Sequence, residues 1–534
     1  MSLVEVEEGS HAEPTVTGPR PGRYPLVMGG IVALYVFSAL RLVYLGNLNH
    51  DEGYYLYTAR LVYEGKVPYR DFAFFQAPLL LYVYGLPQAL VGGSLYAGRL
   101  TSFVLGAATL VLVGALARRL AGKLAALIAT ALLVATSTFD WVFTTTRTEP
   151  LTGCLVALSL YCLLGRKGRW AEAIAVSAIV WASAARISCL PAALLVLGLL
   201  VYRNRSSWRW CAGLAALAAG QIGVLLGLPL ALAGERMIFD VAGAQIWRYR
   251  QFRPGVEVGA AQVVMGTAGS IVYHLTRFYV GTTVSVLAIA AVAVAIYRSE
   301  VLKRARREYL VLAAMAAALY LPQLSVTFVG EVYLLASVIV LSVLVGCAVR
   351  DLHCRLRGGP GAPLALGLAL SAILVQAGTA VNDIEWQDSF RYRALPDLRK
   401  VAARVAGFVP EDRQMVAFST YLAVEAGRRV APGFETSWFS FFPALPDARA
   451  KDLHVINLEG LRRAVDDPAT SCVALTDFEV KMLAQAQGKD LPPRRPLTES
   501  EIFDVLDELK GRYVLIEVVP KFGQWHDFLY VLKR

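Results

Sequence analysis

From residue 25 to residue 380 the chain alternates long apolar runs with short polar loops. Most of the runs have the length, about 17 to 25 residues, that carries a helix across a bilayer. Lipid leaves an open chain no other way to satisfy its backbone, so the runs predict helices. The pattern predicts about eleven spans, at 25–45, 96–117, 121–139, 150–165, 170–185, 187–202, 210–232, 278–297, 309–326, 332–349 and 362–380. The stretch 78–91, PLLLYVYGLPQALV, is too short to span and contains Pro87. Its aromatics predict a helix lying in the membrane interface. Residues 256–277 are borderline apolar and read as re-entrant or spanning.

The polar loops sort by charge. Arg20 and Arg23, then Arg118, Arg119 and Lys123, then Arg166, Lys167 and Arg169, then Arg203, Arg205 and Arg209 occupy alternate short loops. Lys303, Arg304 and Arg306 continue the series, followed by Arg350, Arg355 and Arg357. Basic short loops mark the cytoplasmic side. Residues 1–24 then form a disordered cytoplasmic tail, with no charged start leading into an apolar core as a signal peptide would have. The loops 46–95, 140–149 and 233–277 fall outside.

Beyond residue 380 the pattern changes. Residues 381–534 are polar, with mixed periodicities. Asp397–Phe408 predicts a helix and Gln414–Thr420 a strand. Thr498 and Glu501 form a capping box that opens a helix running to Lys510. Tyr513–Val519 and Phe528–Leu532 predict strands. An odd span count puts this α/β domain outside the cytoplasm. The expected fold is therefore a polytopic α-helical membrane protein. It comprises the tail 1–24, a transmembrane catalytic domain 25–380 and an extracytoplasmic α/β domain 381–534.

Composition agrees with a membrane class. Of 534 residues 56% are hydrophobic and 17% charged, with a mean hydropathy of +0.51. The net charge of +11 resides largely in the short inside loops, so it does not point to nucleic acid. Cysteines lie mostly in apolar runs, and Cys472 stands alone in the C-terminal region, which excludes a disulfide framework there.

The chemistry concentrates in the first outside loop, 46–95. Asp51 and Glu52 stand one step beyond the first span, and Lys66, Arg70 and Asp71 follow. An acidic pair at the water–lipid boundary suits a substrate with a polar head and a lipid tail. A structural alternative has Asp51 merely capping a helix that begins near Gly53. His50 beside Asp51 leaves room for a divalent metal at the acidic loop. A lone histidine there is a weak metal signal, so no cofactor is expected.

Further charges gather at the same outer level. Arg99 opens the second span, Arg147 and Glu149 precede the fourth, Arg186 interrupts WASAARISCLPAALLV, and Glu331 and Tyr333 open the tenth. Charges at membrane depth are functional candidates by default, although each of Arg99 and Arg147 also fits a helix-end anchor that snorkels to water. Acids with dispersed arginines suit glycosyl transfer from a lipid-linked sugar phosphate. A carboxylate takes the acceptor proton, and cations hold the phosphate leaving group.

These residues carry a resemblance. The span pattern with Asp51-Glu52 after span 1, the stretch GKVPYRDF (Gly65 to Phe72), and Gln76 and Pro78 resemble the GT-C class of integral-membrane glycosyltransferases. The likeness is to the branch holding protein O-mannosyltransferases and the aminoarabinose transferase of lipid A. It implies Asp51, Glu52 and Glu149 as the catalytic acids. Arg186 would be the basic residue that meets the donor phosphate. Lys66, Arg70, Asp71, Arg99, Arg147, Glu331 and Tyr333 are expected on the substrate side. Two departures stand out. Gln76-Ala77-Pro78 replaces a His-Pro-Pro-like sequence, and Gly330-Glu331-Val332-Tyr333 replaces a His-x-Tyr-like one.

The expected activity is inverting transfer of a sugar from a polyprenyl-phosphate donor to a protein, lipid or polysaccharide acceptor at the outer membrane face. A transporter or flippase would instead show broken helices and mid-span polar residues in paired repeats. An assembly protein with an external binding domain leaves the acidic, aromatic first loop unexplained.

Overall fold

The computed structural model describes residues 23–244, 246–247, 302–325, 331–355, 361–381, 384–491, 495–522 and 527–534. The expected tail up to residue 22, the segment 256–277 and the span 278–297 lie outside these residues.

The apolar runs form helices where their composition allows. Helix α1 (Arg23–Leu45) buries Tyr35, Ser38, Ala39, Leu42 and Val43 along one stripe. Its other faces expose Leu26, Leu34 and Phe37, as a helix set against lipid would. The next elements are α2 (His50–Tyr63), α3 (Leu79–Val91) and α4 (Leu95–Val134). Helix α3 is the short helix expected at 78–91. Helix α4 holds the expected span 96–117 and the expected span 121–139 as far as Val134, and it breaks at Gly122. There φ is +85°, a conformation that glycine adopts without steric penalty. The break falls among Arg118, Arg119 and Lys123.

The chain continues through α5 (Ser137–Val142), α6 (Thr148–Gly165), α7 (Arg169–Ala185), α8 (Leu190–Arg203) and α9 (Trp208–Ile222). Helix α9 runs on through a wide turn to Ala233. Helices Leu302–Tyr320, Leu335–Arg355 and Gly361–Val381 complete the apolar part. Among the described residues, five helices are long and apolar enough to cross a membrane. The expected number of spans is therefore only partly represented. Helix α7 has 17 residues, and the run Ile187–Arg203 includes a tight first turn.

Past residue 384 the chain builds a five-stranded sheet of order β2-β1-β3-β5-β4. The strands are β1 (Gln414–Ala417), β2 (Arg429–Val430), β3 (Thr470–Thr476), β4 (Val514–Phe522) and β5 (Asp527–Lys533). Strand β1 is parallel to β2 and β3, and β5 is antiparallel to both β3 and β4. The expected helix from Asp397 spans Ala394–Phe408. The strand expected at Gln414–Thr420 stops at Ala417, because a helix begins at Thr420. The capping box forms: Thr498 Oγ1 accepts from Glu501 N at 3.3 Å, and Glu501 Oε2 accepts from Thr498 N at 2.8 Å. Its helix ends at Val505 and passes into a tight turn, Asp507–Leu509, short of the expected Lys510.

The first loop and the C-terminal domain share one hydrophobic core. Leu56, Tyr57, Phe72 and Tyr84 pack in the same cluster as Phe418, Tyr421, Leu475 and Leu529. The Val430 amide donates to Tyr57 Oη at 2.9 Å. The two regions therefore lie on one side of the apolar helices. Contact is closest at Gly53, where an added Cβ would stand 2.2 Å from Tyr421 N and 2.8 Å from Thr420 Oγ1. Gly53→Ala should destabilise the protein by about 1 to 3 kcal/mol, the usual cost of overpacking. Thermal unfolding in detergent, read at one scan rate, measures this. An unchanged midpoint would show that the junction yields.

Candidate active site

Helix α2 begins at His50 because Asn49 caps it. Asn49 Oδ1 accepts from Asp51 N at 2.9 Å, and Glu52 Oε1 accepts from Asn49 N at 3.2 Å. Asn49 and Glu52 together complete a capping box. Asp51 is thus not the cap of a helix starting near Gly53. Its side chain is left to face elsewhere.

The Asp51 carboxylate faces Arg147, with Oδ2 2.8 Å from Nη2. Arg147 stands just before α6, and its Nε lies 3.4 Å from Glu149 Oε2. The other Glu149 oxygen accepts from Arg186 Nη1. Arg186 occupies the break between α7 and α8, where the backbone turns extended. Its guanidinium stacks 4.6 Å above the Tyr333 ring. Its Nη2 reaches Gln323 Oε1 at 3.4 Å, and Gln323 Nε2 donates to Ser188 Oγ at 2.7 Å. Thr148 Oγ1 accepts from Arg186 Nη1 at 3.2 Å.

Asp51, Arg147, Glu149 and Arg186 therefore form a ladder of alternating charge, drawn from far-apart stretches of sequence. Alternation is what makes such burial tolerable, since an isolated buried charge is costly. Asp51 keeps 17% of its side chain exposed. Burial raises its pKa, while Arg147 opposes the rise. A carboxylate held this way is a stronger base than one in water.

Glu52 and Arg99 take a different place from the one expected. Both side chains are fully buried and pair through two contacts of 2.7 Å, Nε to Oε2 and Nη2 to Oε1. Arg99 also donates to the carbonyls of Leu42, Val43 and Gly46 at 3.2 to 3.3 Å and of Asn47 at 2.6 Å. Two of these carbonyls, those of Leu42 and Val43, belong to the last turn of α1. The pair fastens α1 to the start of α2 and presents no atom to a substrate.

Lys66, Arg70 and Asp71 also stand apart. Lys66 is exposed and near Glu435 of the C-terminal domain, a carboxyl that burial raises to about 7. Arg70 pairs with its neighbour Asp71 through two contacts of 2.8 Å, and Asp71 holds the turn by accepting from Val67 N at 2.7 Å. The Arg70 carbonyl meets Arg236 Nη1 at 3.2 Å and His454 Nε2 at 2.7 Å. Among the described residues no contact joins these three to the ladder. Tyr333 does join it. Glu331 begins the same short helix, and its side chain lies outside the described set.

The His50 ring lies 6.1 Å from Tyr421 and 6.2 Å from Phe478, in aromatic surroundings. Burial lowers its pKa to about 4. Among the described residues no group of three His, Cys, Asp or Glu side chains is placed to hold a metal. The sequence reading missed Gln323, Ser188, Thr148 and Trp141, whose ring lies 5.7 Å from the Arg147 guanidinium. Gln323 follows Pro322 at the end of an apolar helix, the one signal that could have marked it.

No family model and no curated protein sequence matches the chain. Solved structures do. ArnT from Cupriavidus metallidurans bound to undecaprenyl phosphate superposes with a TM-score of 0.60 at 12% identity, covering 96% of this chain and 98% of its own. The Archaeoglobus fulgidus oligosaccharyltransferase, tethered to an acceptor peptide, gives 0.52 at 14% identity, covering 88% of this chain and 71% of its own.

The chain has the GT-C fold.

At these identities the likeness concerns the fold. The charge ladder of this GT-C chain is read from its own side chains, and it lies where α2, in the first loop, meets the ends of α6 and α7. The aromatic groups around it, Tyr333 and Trp141, cover arginines rather than carboxylates. Asp51 is the most exposed of the four, 17% against 13% for Arg186, 10% for Arg147 and 6% for Glu149.

Proposed function

We propose that the chain is an inverting glycosyltransferase that takes a sugar from a polyprenyl-phosphate donor and passes it to an acceptor hydroxyl or amine at the extracytoplasmic membrane face. The sugar is a hexose or a pentose, and the acceptor belongs to a protein, lipid or polysaccharide. The observation that carries the reading is the Asp51–Arg147–Glu149–Arg186 ladder within a GT-C fold. The bound undecaprenyl phosphate of ArnT supports a lipid-phosphate donor.

In this reading Asp51 is the general base. The acceptor O–H or N–H gives its proton to the carboxylate as the heteroatom attacks the anomeric carbon. The bond from that carbon to the phosphate oxygen breaks, and polyprenyl phosphate leaves with the electron pair. Arg186 and Arg147 meet the developing phosphate charge. Glu149 lies between them and sets their geometry. One displacement at one carbon inverts its configuration, whereas a covalent glycosyl-enzyme would retain it. The C-terminal domain shares the core of the first loop, so this reading places both outside the cytoplasm.

Transfer from a synthetic polyprenyl-phosphate sugar by the purified protein in nanodiscs tests the proposal, with the linkage read by NMR. Arg186→Ala should weaken a charge-assisted contact to the donor by about 1.5 to 3 kcal/mol. It should appear as a higher donor KM, a lower turnover, or both. Unchanged kinetics would leave Arg186 a helix-end anchor. A product with the donor's anomeric configuration would end the single-displacement mechanism.

A further inference from the structure

The C-terminal domain lowers an aromatic turn onto the first turns of α2, against Tyr54. Trp438 and Phe439 stack with centroids 4.2 Å apart and planes 25° apart. Both are only half-buried. Phe439 lies 5.1 Å from Tyr54, and Tyr54 lies 4.0 Å from Tyr55. Tyr54 and Tyr55 are three and four residues beyond Asp51 on α2, so they share its face of the helix. On the other side Trp438 meets Phe478 edge-on at 5.5 Å, and Phe478 meets His50. The rings thus run from the candidate base into the C-terminal domain.

The turn is not built for stability alone. Ser437 has φ +63°, a strained value for a residue with a Cβ. Thr436 Oγ1, Ser437 Oγ and Trp438 Nε1 are buried and have no hydrogen-bond partner among the described residues. A fold leaves such groups unmet only at a cost. Strain, unmet polar atoms and half-buried rings therefore fall on three consecutive residues and their neighbour.

We propose that this turn, residues 436–440, is the acceptor subsite, and that the acceptor it takes is a saccharide. The proposal rests on the transferase reading above. A sugar ring has an apolar face of C–H groups, which suits the negative faces of Trp438 and Phe439. Its edge carries hydroxyls, which would meet the polar atoms of Thr436, Ser437 and Trp438 once the turn, which covers those atoms here, opens to the ligand. A few polar groups among aromatic walls is the usual make-up of a small-ligand site. A lipid headgroup would ask for cations, and residues 436–440 themselves carry none. An acceptor stacked there would reach toward the start of α2, where the partly exposed Asp51 carboxylate takes the proton of its hydroxyl.

The test is binding without donor, on the full-length protein in nanodiscs. Saturation-transfer NMR is run with three probes: octyl-linked hexose and pentose oligosaccharides, Ser- and Thr-containing peptides, and glycerophosphoethanolamine. The oligosaccharides are expected to bind, and the other two to stay silent. Trp438→Ala should weaken the saccharide about tenfold, as loss of an aromatic anchor does. Trp438→Phe should restore most of the affinity. Phe439→Leu gives a second variant should Trp438→Ala misfold. In the transfer assay both changes should raise the acceptor KM and leave the donor KM alone. No saccharide binding by the wild type, undisturbed binding in both variants, or binding of the peptide instead overturns the proposal. Because this arm uses no donor, its failure leaves the transferase reading intact. Failure of donor transfer would in turn leave the binding result standing.

Discussion

Asp51→Asn protein should transfer sugar about a hundredfold to ten-thousandfold more slowly than wild type, the usual loss when a general base is removed. Asparagine keeps the size of the side chain and one acceptor oxygen for Arg147 at the 2.8 Å contact. It cannot take a proton. The loss should therefore fall on turnover more than on donor affinity. The pH profile supplies a second reading. The active form is the carboxylate, and burial raises its pKa above the ordinary aspartate value. Activity should thus decline as pH falls through that raised value, and plateau above it as far as this group is concerned. In Asp51→Asn the acid limb assigned to Asp51 should vanish from the residual rate. Near wild-type turnover in folded Asp51→Asn protein would remove Asp51 from the mechanism. An unchanged acid limb would assign the titration to another group.

The parts of this protein that were legible in its sequence are those set by local physics. The first span, the short helix at Leu79–Val91 and the Thr498–Glu501 capping box all follow from residues within a few positions of one another. Asp51, Arg147, Glu149 and Arg186 stood out because charge is conspicuous at the ends of apolar runs, and they do meet in space. Strand β3 went unread. Its core, Cys472 to Leu475, is buried throughout and does not alternate, and a short apolar run of that kind carries no period to separate strand from helix. The start of α2 was placed too late because the cap is Asn49, whose role needs Glu52 to reach back to it.

What sequence could not convey was pairing over distance. Nothing near Gly53 announces that the backbone of Tyr421 will rest against it. The docking of the C-terminal domain on the first loop, and with it the aromatic turn beside α2, is a tertiary fact. The same holds for Glu52, adjacent to Asp51 in the chain and yet turned the opposite way. One neighbour reaches Arg147, the other Arg99. Consecutive helical residues point about 100° apart, so an acidic pair in sequence need not be an acidic pair in space.

The Glu52–Arg99 pair carries the largest structural prediction. Arg99→Met should destabilise the protein by about 3 to 5 kcal/mol, the cost of leaving one member of a buried pair uncompensated. The Glu52 carboxylate would remain with no exposed surface and no cation. The carbonyls of Leu42, Val43, Gly46 and Asn47 would lose a donor as well. Glu52→Gln should cost less, because the amide oxygen can still accept from Arg99 or from Asn49 N, although not as an ion. The double change should be milder than the sum of the two, since it removes the charge together with its partner. Thermal unfolding of detergent-purified variants at a fixed scan rate gives the ranking. Transfer per folded molecule gives the discriminating result. If the pair only fastens α1 to α2, Arg99→Met protein that remains folded should keep a donor KM close to wild type. A wild-type unfolding midpoint with a sharply raised donor KM would return Arg99 to the substrate and make its contacts with α1 incidental.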